Sequence, residues 1–151
     1  MNTNKKTQNT DASTAENNSS VFDKDEVFEF IDSGVRAKNL DWDRNEVYKR
    51  LKKLAEKGDS YGQDLLGLLL SVGYGCEANP SEAFKWFTKA AEQGLANAQY
   101  TLGLHYYRGC VVPKNYEKAA YWLEKAAAQG HEDAEALLIT AKFALYFNSI
   151  S

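Results

Sequence analysis

The chain has 151 residues, 44% of them apolar, which suits one globular unit with a continuous core and leaves too little for a second large domain. A formal net charge of -3 and a pI near 5.4 give no electrostatic drive toward nucleic acid or an anionic membrane, where a basic patch would be the footprint. Two cysteines, Cys76 and Cys110, form no framework of paired spacings and read as small buried or loop thiols in a reducing compartment.

Residues 1–22 begin MNTNKKTQNTDASTAENNSS, where Asn, Thr and Ser dominate and no apolar run could serve as a signal peptide. The expectation is a disordered polar tail on a cytoplasmic protein, with a type III-like export signal as the sharper alternative. Asp23-x-x-Glu26 is a capping box opening a helix to about Ser33, and Asp43-x-x-Glu46 opens another over 43–57. The second helix is basic through Arg44, Lys49, Arg50, Lys52, Lys53 and Lys57, but Glu46 and Glu56 interleave. It reads as a solvated face, or one meeting an acidic partner; RNA binding would need a continuous basic stripe with stacking aromatics. Residues 23–58 then make a degenerate helix pair.

From residue 59 the sequence copies itself: 59–94 laid over 95–130 gives 13 identities in 36 positions without an insertion. Gln63/Gln99, Leu66/Leu102, Gly67/Gly103, Leu68/Leu104 and Gly73/Gly109 fall in the first half. Asn79/Asn115, Ala83/Ala119, Trp86/Trp122 and the KAAxQG residues ending at Gly94/Gly130 fall in the second. Each half predicts a helix, over 60–72 and 96–108 for the first halves. The second half of the first copy is capped by Asn79, with Pro80 at the first helical position and Glu82 completing a capping box. Ala83, Trp86, Phe87, Ala90 and Ala91 then form an apolar stripe, stopped by Gly94. A mid-helix Gly costs ~1 kcal/mol relative to Ala, so Gly67 and Gly103 imply that a neighbouring helix approaches closely. The recurring Trp is expected to be the large knob at each joint and the recurring Ala residues the holes. Residues 131–151 form a C-terminal capping helix whose apolar run, 134–147, is broken by Glu135, Thr140 and Lys142 and is too short to span a bilayer.

The pattern Leu102-Gly103-x-x-Tyr106 with Gly109, then Ala119-x-x-Trp122-x-x-Lys125-Ala126-Ala127-x-Gln129-Gly130, resembles the SEL-like repeat (SLR) family, relatives of the tetratricopeptide repeats. The resemblance is strong over 59–130 and partial over 23–147. Val111 departs from it, standing where the family's turn has a second Gly. The resemblance implies an all-α, right-handed α-solenoid of antiparallel helix pairs, about seven helices, whose concave groove is lined by first-half helices and holds other proteins. By tetratricopeptide analogy the groove residues are Tyr61, Asp64, Leu68, Ser71 and Val72. Asn97, Tyr100, Leu104, Tyr107 and Arg108 follow in the second copy, then Asp133, Ala136, Thr140 and Phe143 in the capping helix. Tyr61, Tyr100, Tyr107 and Arg108 are the best contact cluster, since Tyr and Arg are enriched at interface hot spots; the alternative is that the aromatics close gaps between repeats. Leu137 and Leu138 are expected to pack on the preceding repeat. With Phe143, Leu145, Tyr146 and Phe147 added, the helix is too apolar for a simple cap, leaving a surface for a homodimer or another partner.

His105 and His131 stand apart, without the Cys or carboxylate spacing of a zinc site, and His105 reads as a packing residue. There is no G-x-S-x-G, Walker or G-x-G-x-x-G signature. Cysteine-rich SLR proteins are associated with β-lactam binding or hydrolysis, but no Ser-x-x-Lys occurs in the expected folded region and the repeated Cys pairs are missing. The expectation is therefore a non-enzymatic protein-binding adaptor with no cofactor and no metal. Its narrower form is a bacterial immunity protein that neutralises a cognate toxin, with an exported effector or a β-lactam enzyme as alternatives.

Overall fold

Caps and stops spelled out in the sequence delimit every helix but one of the computed structural model, which describes residues 43–151. Helix α1 spans Arg44–Glu56, α2 Ser60–Val72, α3 Pro80–Glu92, α4 Ala96–Arg108, α5 Tyr116–Ala127 and α6 Glu132–Ser149, with no strand among the described residues. The tail over 1–22 and the helix expected from Asp23 to about Ser33 lie outside the described residues, so the degenerate pair 23–58 is represented by α1 alone.

Side-chain oxygens take the first free N–H groups of four helices. Asp43 accepts from Asn45 N at 3.0 Å, Asp59 from Gly62 N at 2.8 Å, Asn79 from Glu82 N at 3.0 Å and Asn115 from Lys118 N at 2.8 Å. Helix α4 follows Leu95, which supplies no side-chain cap. The capping boxes do not close. Glu46 instead accepts from Arg50 Nε at 2.8 Å, drawn by the opposite charge four residues on. Glu82 cannot take the Asn79 backbone N–H because that group already donates to Leu70 O at 2.7 Å. Asn115 N repeats the contact on Tyr106 O at 2.9 Å. The recurring Asn thus ties the end of one helix to the start of the next.

Helices adjacent in sequence pack on one another from α1 to α6, and α4 also meets α6 across α5. The close approach expected at the mid-helix glycines is present. A Cβ at Gly67 would lie 2.6 Å from Phe87 Cε1, and one at Gly103 would lie 2.5 Å from Leu123 Cγ. Phe87 and Leu123 occupy the same repeat position and are 2% and 0% exposed. The knob is therefore the residue after each tryptophan, not the tryptophan itself. Trp86 and Trp122 are only half-buried and flank the core; the Lys89 ammonium sits 4.2 Å from the Trp86 ring centroid. An indole is too large for a hole made by one missing Cβ, whereas a Phe edge or a Leu fits. The small residues behave as expected, with Ala83, Ala90, Ala119 and Ala126 at 1% exposure or less.

A ladder of glutamines runs beside these joints. Gln93 Nε2 donates to Gln63 Oε1 at 2.8 Å, and Gln63 Nε2 to Ala55 O at 3.2 Å. One repeat later Gln129 Nε2 donates to Gln99 Oε1 and to Gly94 O, both at 2.9 Å, and Gln99 Nε2 to Ala91 O at 3.2 Å. Gln63 and Gln99 are 5% and 4% exposed, so each rung satisfies polar groups that would cost about 1–3 kcal/mol if left unmet in the interior.

The turn after α4 keeps the backbone of its earlier copy despite the residue change. Gly75 has φ +70° and Val111 has φ +68°. At Gly75 a Cβ would run into the Arg44 carbonyl, so that position admits only glycine. Val111 is 45% exposed and carries a β-branched side chain in the left-handed region, at a cost on the order of 1–3 kcal/mol. Val111→Gly is expected to raise the unfolding free energy by ~1 kcal/mol, the relieved strain exceeding the ~0.5–1 kcal/mol entropic cost of glycine. Thermal or urea denaturation of the variant beside the parent checks this, and an unchanged or lowered midpoint contradicts it.

Candidate functional site

The first-half helices bury one side and leave the other open. In α4 the buried residues Ala98, Gln99, Leu102 and Gly103 face the neighbouring helices. Helical periodicity then puts Asn97, Tyr100, Thr101, Leu104 and Arg108 on the opposite side. Asn97 and Arg108 are exposed; Tyr100, Thr101 and Leu104 are half-buried. The Tyr100 ring stacks on His131, centroids 4.6 Å apart and planes 23° from parallel. His131 is fixed in turn by accepting at Nδ1 from Ala134 N at 3.3 Å. Tyr107 lies against Tyr116 at 5.5 Å. Both tyrosines thus close gaps, Tyr100 between the second repeat and α6, Tyr107 within the repeat, and each presents only its remaining surface outward.

On α2, Tyr61, Leu68 and Val72 are 40%, 38% and 73% exposed and follow one another at helical spacing. Asp64, expected beside them, is not on the surface: it is 6% exposed, within the uninterrupted buried run Gly62–Gly67. A helix buried over nearly two turns is enclosed on more sides than α4 is. Burial pushes the Asp64 carboxyl up to about 6. Ser71 turns its hydroxyl to its own helix, donating to Leu68 O at 2.8 Å. On α6, Asp133, Ala136, Thr140 and Phe143 are all exposed. Because α4 meets α6, Tyr100 and Leu104 form one surface with this helix, while Tyr61 and Leu68 lie one repeat earlier.

His105 packs edge-on to Phe84 at 5.7 Å, with Nδ1 3.1 Å from Cys110 O, which places it in the joint between α3 and α4. Cys76 and Cys110 are free thiols; burial, with Glu82 nearby, pushes the Cys76 thiol up, away from the reactive thiolate. Among the described residues no three His, Cys, Asp or Glu side chains gather as a metal site requires, and no helix is long and apolar enough to cross a membrane. Sequence reasoning missed a cleft of about 420 Å³ between the start of α5 and the end of α6, lined by Lys114, Asn115, Tyr116, Glu117, Leu145, Asn148 and Ser149. Of these only Asn115 belongs to the repeated pattern, and there it reads as a helix cap, so nothing pointed to the cleft.

Stacked helix pairs with glycine-lined joints and an open first-half face define an α-solenoid repeat protein. Residues 60–95 and 96–131 match the Sel1 repeat, so the chain carries two Sel1 (SEL-like) repeats. Such repeats generally mediate protein–protein interaction. The chain is 31% identical to a Sel1 repeat protein from Oxalobacter formigenes, with TM-score 0.66, the match covering 76% of this chain and 46% of that one. It is 27% identical, with TM-score 0.65, to a protective antigen of uropathogenic Escherichia coli that displays an SLR fold, covering 82% of this chain and 26% of that one. The chain thus spans less than half of either relative. Cysteine rich protein B of Helicobacter pylori, 24% identical with TM-score 0.62 over 76% of this chain and 96% of that one, shares the fold alone. Among curated proteins none is significantly similar to the chain.

The raised pKa of Asp64 has a measurable consequence. The folded state holds the proton up to about pH 6, whereas an unfolded Asp releases it near 3.9. The stability this group contributes is complete below about pH 4 and is lost as the pH rises through about 6. Asp64→Asn removes that loss. The variant is expected to exceed the parent in unfolding free energy by up to ~3 kcal/mol at pH 7, and to match it near pH 4. Urea denaturation at both pH values checks the expectation, and equal differences at the two would contradict it.

Proposed function

We propose that the described solenoid is a non-enzymatic adaptor that holds another protein against the open side of its first-half helices. Asn97, Tyr100, Leu104 and Arg108 on α4 lie at the centre, with Tyr61 and Leu68 on α2 continuing the surface. The observation that carries the reading is the α4 stripe itself. A tyrosine held by stacking at 4.6 Å, a half-exposed leucine and an exposed arginine follow one another on a helix with a firm buried side. A tyrosine held in this way loses little freedom on binding, and Tyr and Arg are enriched at interface hot spots. The repeat family, which generally serves protein–protein interaction, supports the same class of role. Neutralising a cognate toxin is a special case of this adaptor role, for which the residues give no separate signal. The outer side of α6 is a second surface, suited to pairing with another copy of the chain.

A photo-crosslinking side chain at Leu104 is expected to trap a discrete protein adduct in cell extract, and the same group at Lys85, exposed on α3, is not. Once the trapped protein is identified, Leu104→Glu with Arg108→Glu is expected to weaken its binding at least ~30-fold, with helicity retained. Equal trapping at both positions, or unchanged affinity of the double variant, would contradict the proposal.

A further inference from the structure

The repeat register carries onto α6, where two residues break the pattern that the earlier copies keep. Ile139 stands at the position of Gly67 and Gly103, and Glu135 at the position of Gln63 and Gln99. In the earlier copies the glycine leaves the space that Phe87 or Leu123 fills, and the glutamine accepts at Oε1 from the next second-half helix while its Nε2 donates to the preceding one. Ile139 is 62% exposed, with a branched side chain projecting where a second-half helix would have to seat its knob. A carboxylate at 135 lacks the Nε2 that Gln63 and Gln99 turn to the helix before them, so the ladder's donor pattern also stops here. This side of α6 therefore does not take another second-half helix in the geometry of the earlier repeats.

What it presents instead is apolar. Ile139, Phe143, Tyr146, Phe147 and Ile150 are each 55–62% exposed and fall on one side of the helix at spacings of three and four. The rings already touch, Phe143 to Phe147 at 5.9 Å and Tyr146 to Phe147 at 5.8 Å. Aromatic side chains bury ~150–250 Å² each, so five large residues exposed by about three-fifths offer roughly 600 Å². That is the upper end of the ~300–600 Å² patch found on monomers and most of the ~800 Å² per partner that a stable interface uses. Leu137 and Leu138, on the other side of the helix, pack on the α5 core.

We propose that this face pairs with the same face of a second copy of the chain, forming a two-fold dimer through the C-terminal halves of two α6 helices. The inference deepens the self-association reading and is independent of the α4 stripe. Charge selects the occupant. An isologous contact sets each residue of a patch against the same patch, so any charge in it meets a like charge. From Phe143 to Ile150 there is none. The nearest cation, Lys142, is turned away to Glu124 on α5 at 2.8 Å, and Glu132, Asp133 and Glu135 lie in the first turn, at the other end of the helix. From Phe143 onward the patch can thus meet itself without burying or opposing charges.

Sedimentation equilibrium of the full chain at about 100 μM, ample for a micromolar dimer, is expected to return twice the chain mass. Phe143→Glu with Phe147→Glu, both at exposed positions, is expected to keep the circular dichroism spectrum and weaken association at least ~100-fold. A monomeric parent would overturn the proposal, whether the patch is bare or reserved for a different protein. So would a dimer that survives the double substitution, or one broken by Leu104→Glu instead, which would put the contact on the α4 stripe.

Discussion

The structure depends on one spatial constraint: within each repeat the two helices lie this close only because the first lacks a Cβ at the crossing. Gly67 and Gly103 provide that space, and Phe87 and Leu123 fill it so closely that an added carbon would stand 2.5–2.6 Å from the knob. A mid-helix glycine sacrifices about 1 kcal/mol of helix propensity. Full burial of the knob side chain returns roughly 1.5–3 kcal/mol, so the packed arrangement wins where a partner helix is present. The glutamine ladder works at the same joints and sets register as well as stability, because each Nε2 reaches across to a fixed carbonyl.

Function follows from what this packing leaves over. Burying Ala98, Gln99, Leu102 and Gly103 turns Asn97, Tyr100, Leu104 and Arg108 outward, and the stacked His131 holds Tyr100 in place. What the described helices offer on this side is exposed side chains on rigid rods. Such a surface is what the proposed adaptor role draws on. Asp64 shows how sharply the two uses diverge, since the residue aligned with Tyr100 is buried and its carboxyl is pushed up to about 6.

Most of this fold could be read from the residues, because its determinants are local. Asn79, Asn115, Asp59 and Gly94 mark helix ends within a few positions of themselves, and the 36-residue copy gives the order of packing. The knob was less legible. Trp86 and Phe87 lie ~100° apart on a helical wheel, both within the broad apolar stripe, and the shape of the hole decides which one enters it. The capping boxes misled because the Asn79 N–H was already committed to Leu70 O, a contact between helix ends that short-range pattern reading does not see. The side-chain directions of the candidate site were least legible of all. Periodicity places Tyr107 outward, and its contact with Tyr116 depends on how the next helix begins.

The same constraint sets α6 apart from α2 and α4: Ile139 stands at the glycine position, and its branched side chain fills the space a knob would need. The most direct measurement exchanges the two sites for a common residue, Gly103→Ala and Ile139→Ala, in a chain kept monomeric by Phe143→Glu and Phe147→Glu. Urea denaturation is expected to show that Gly103→Ala lowers the unfolding free energy by ~1–2 kcal/mol despite better helix propensity, with Ile139→Ala neutral or slightly stabilising. A stabilised Gly103→Ala, or equal losses at both positions, would contradict the account.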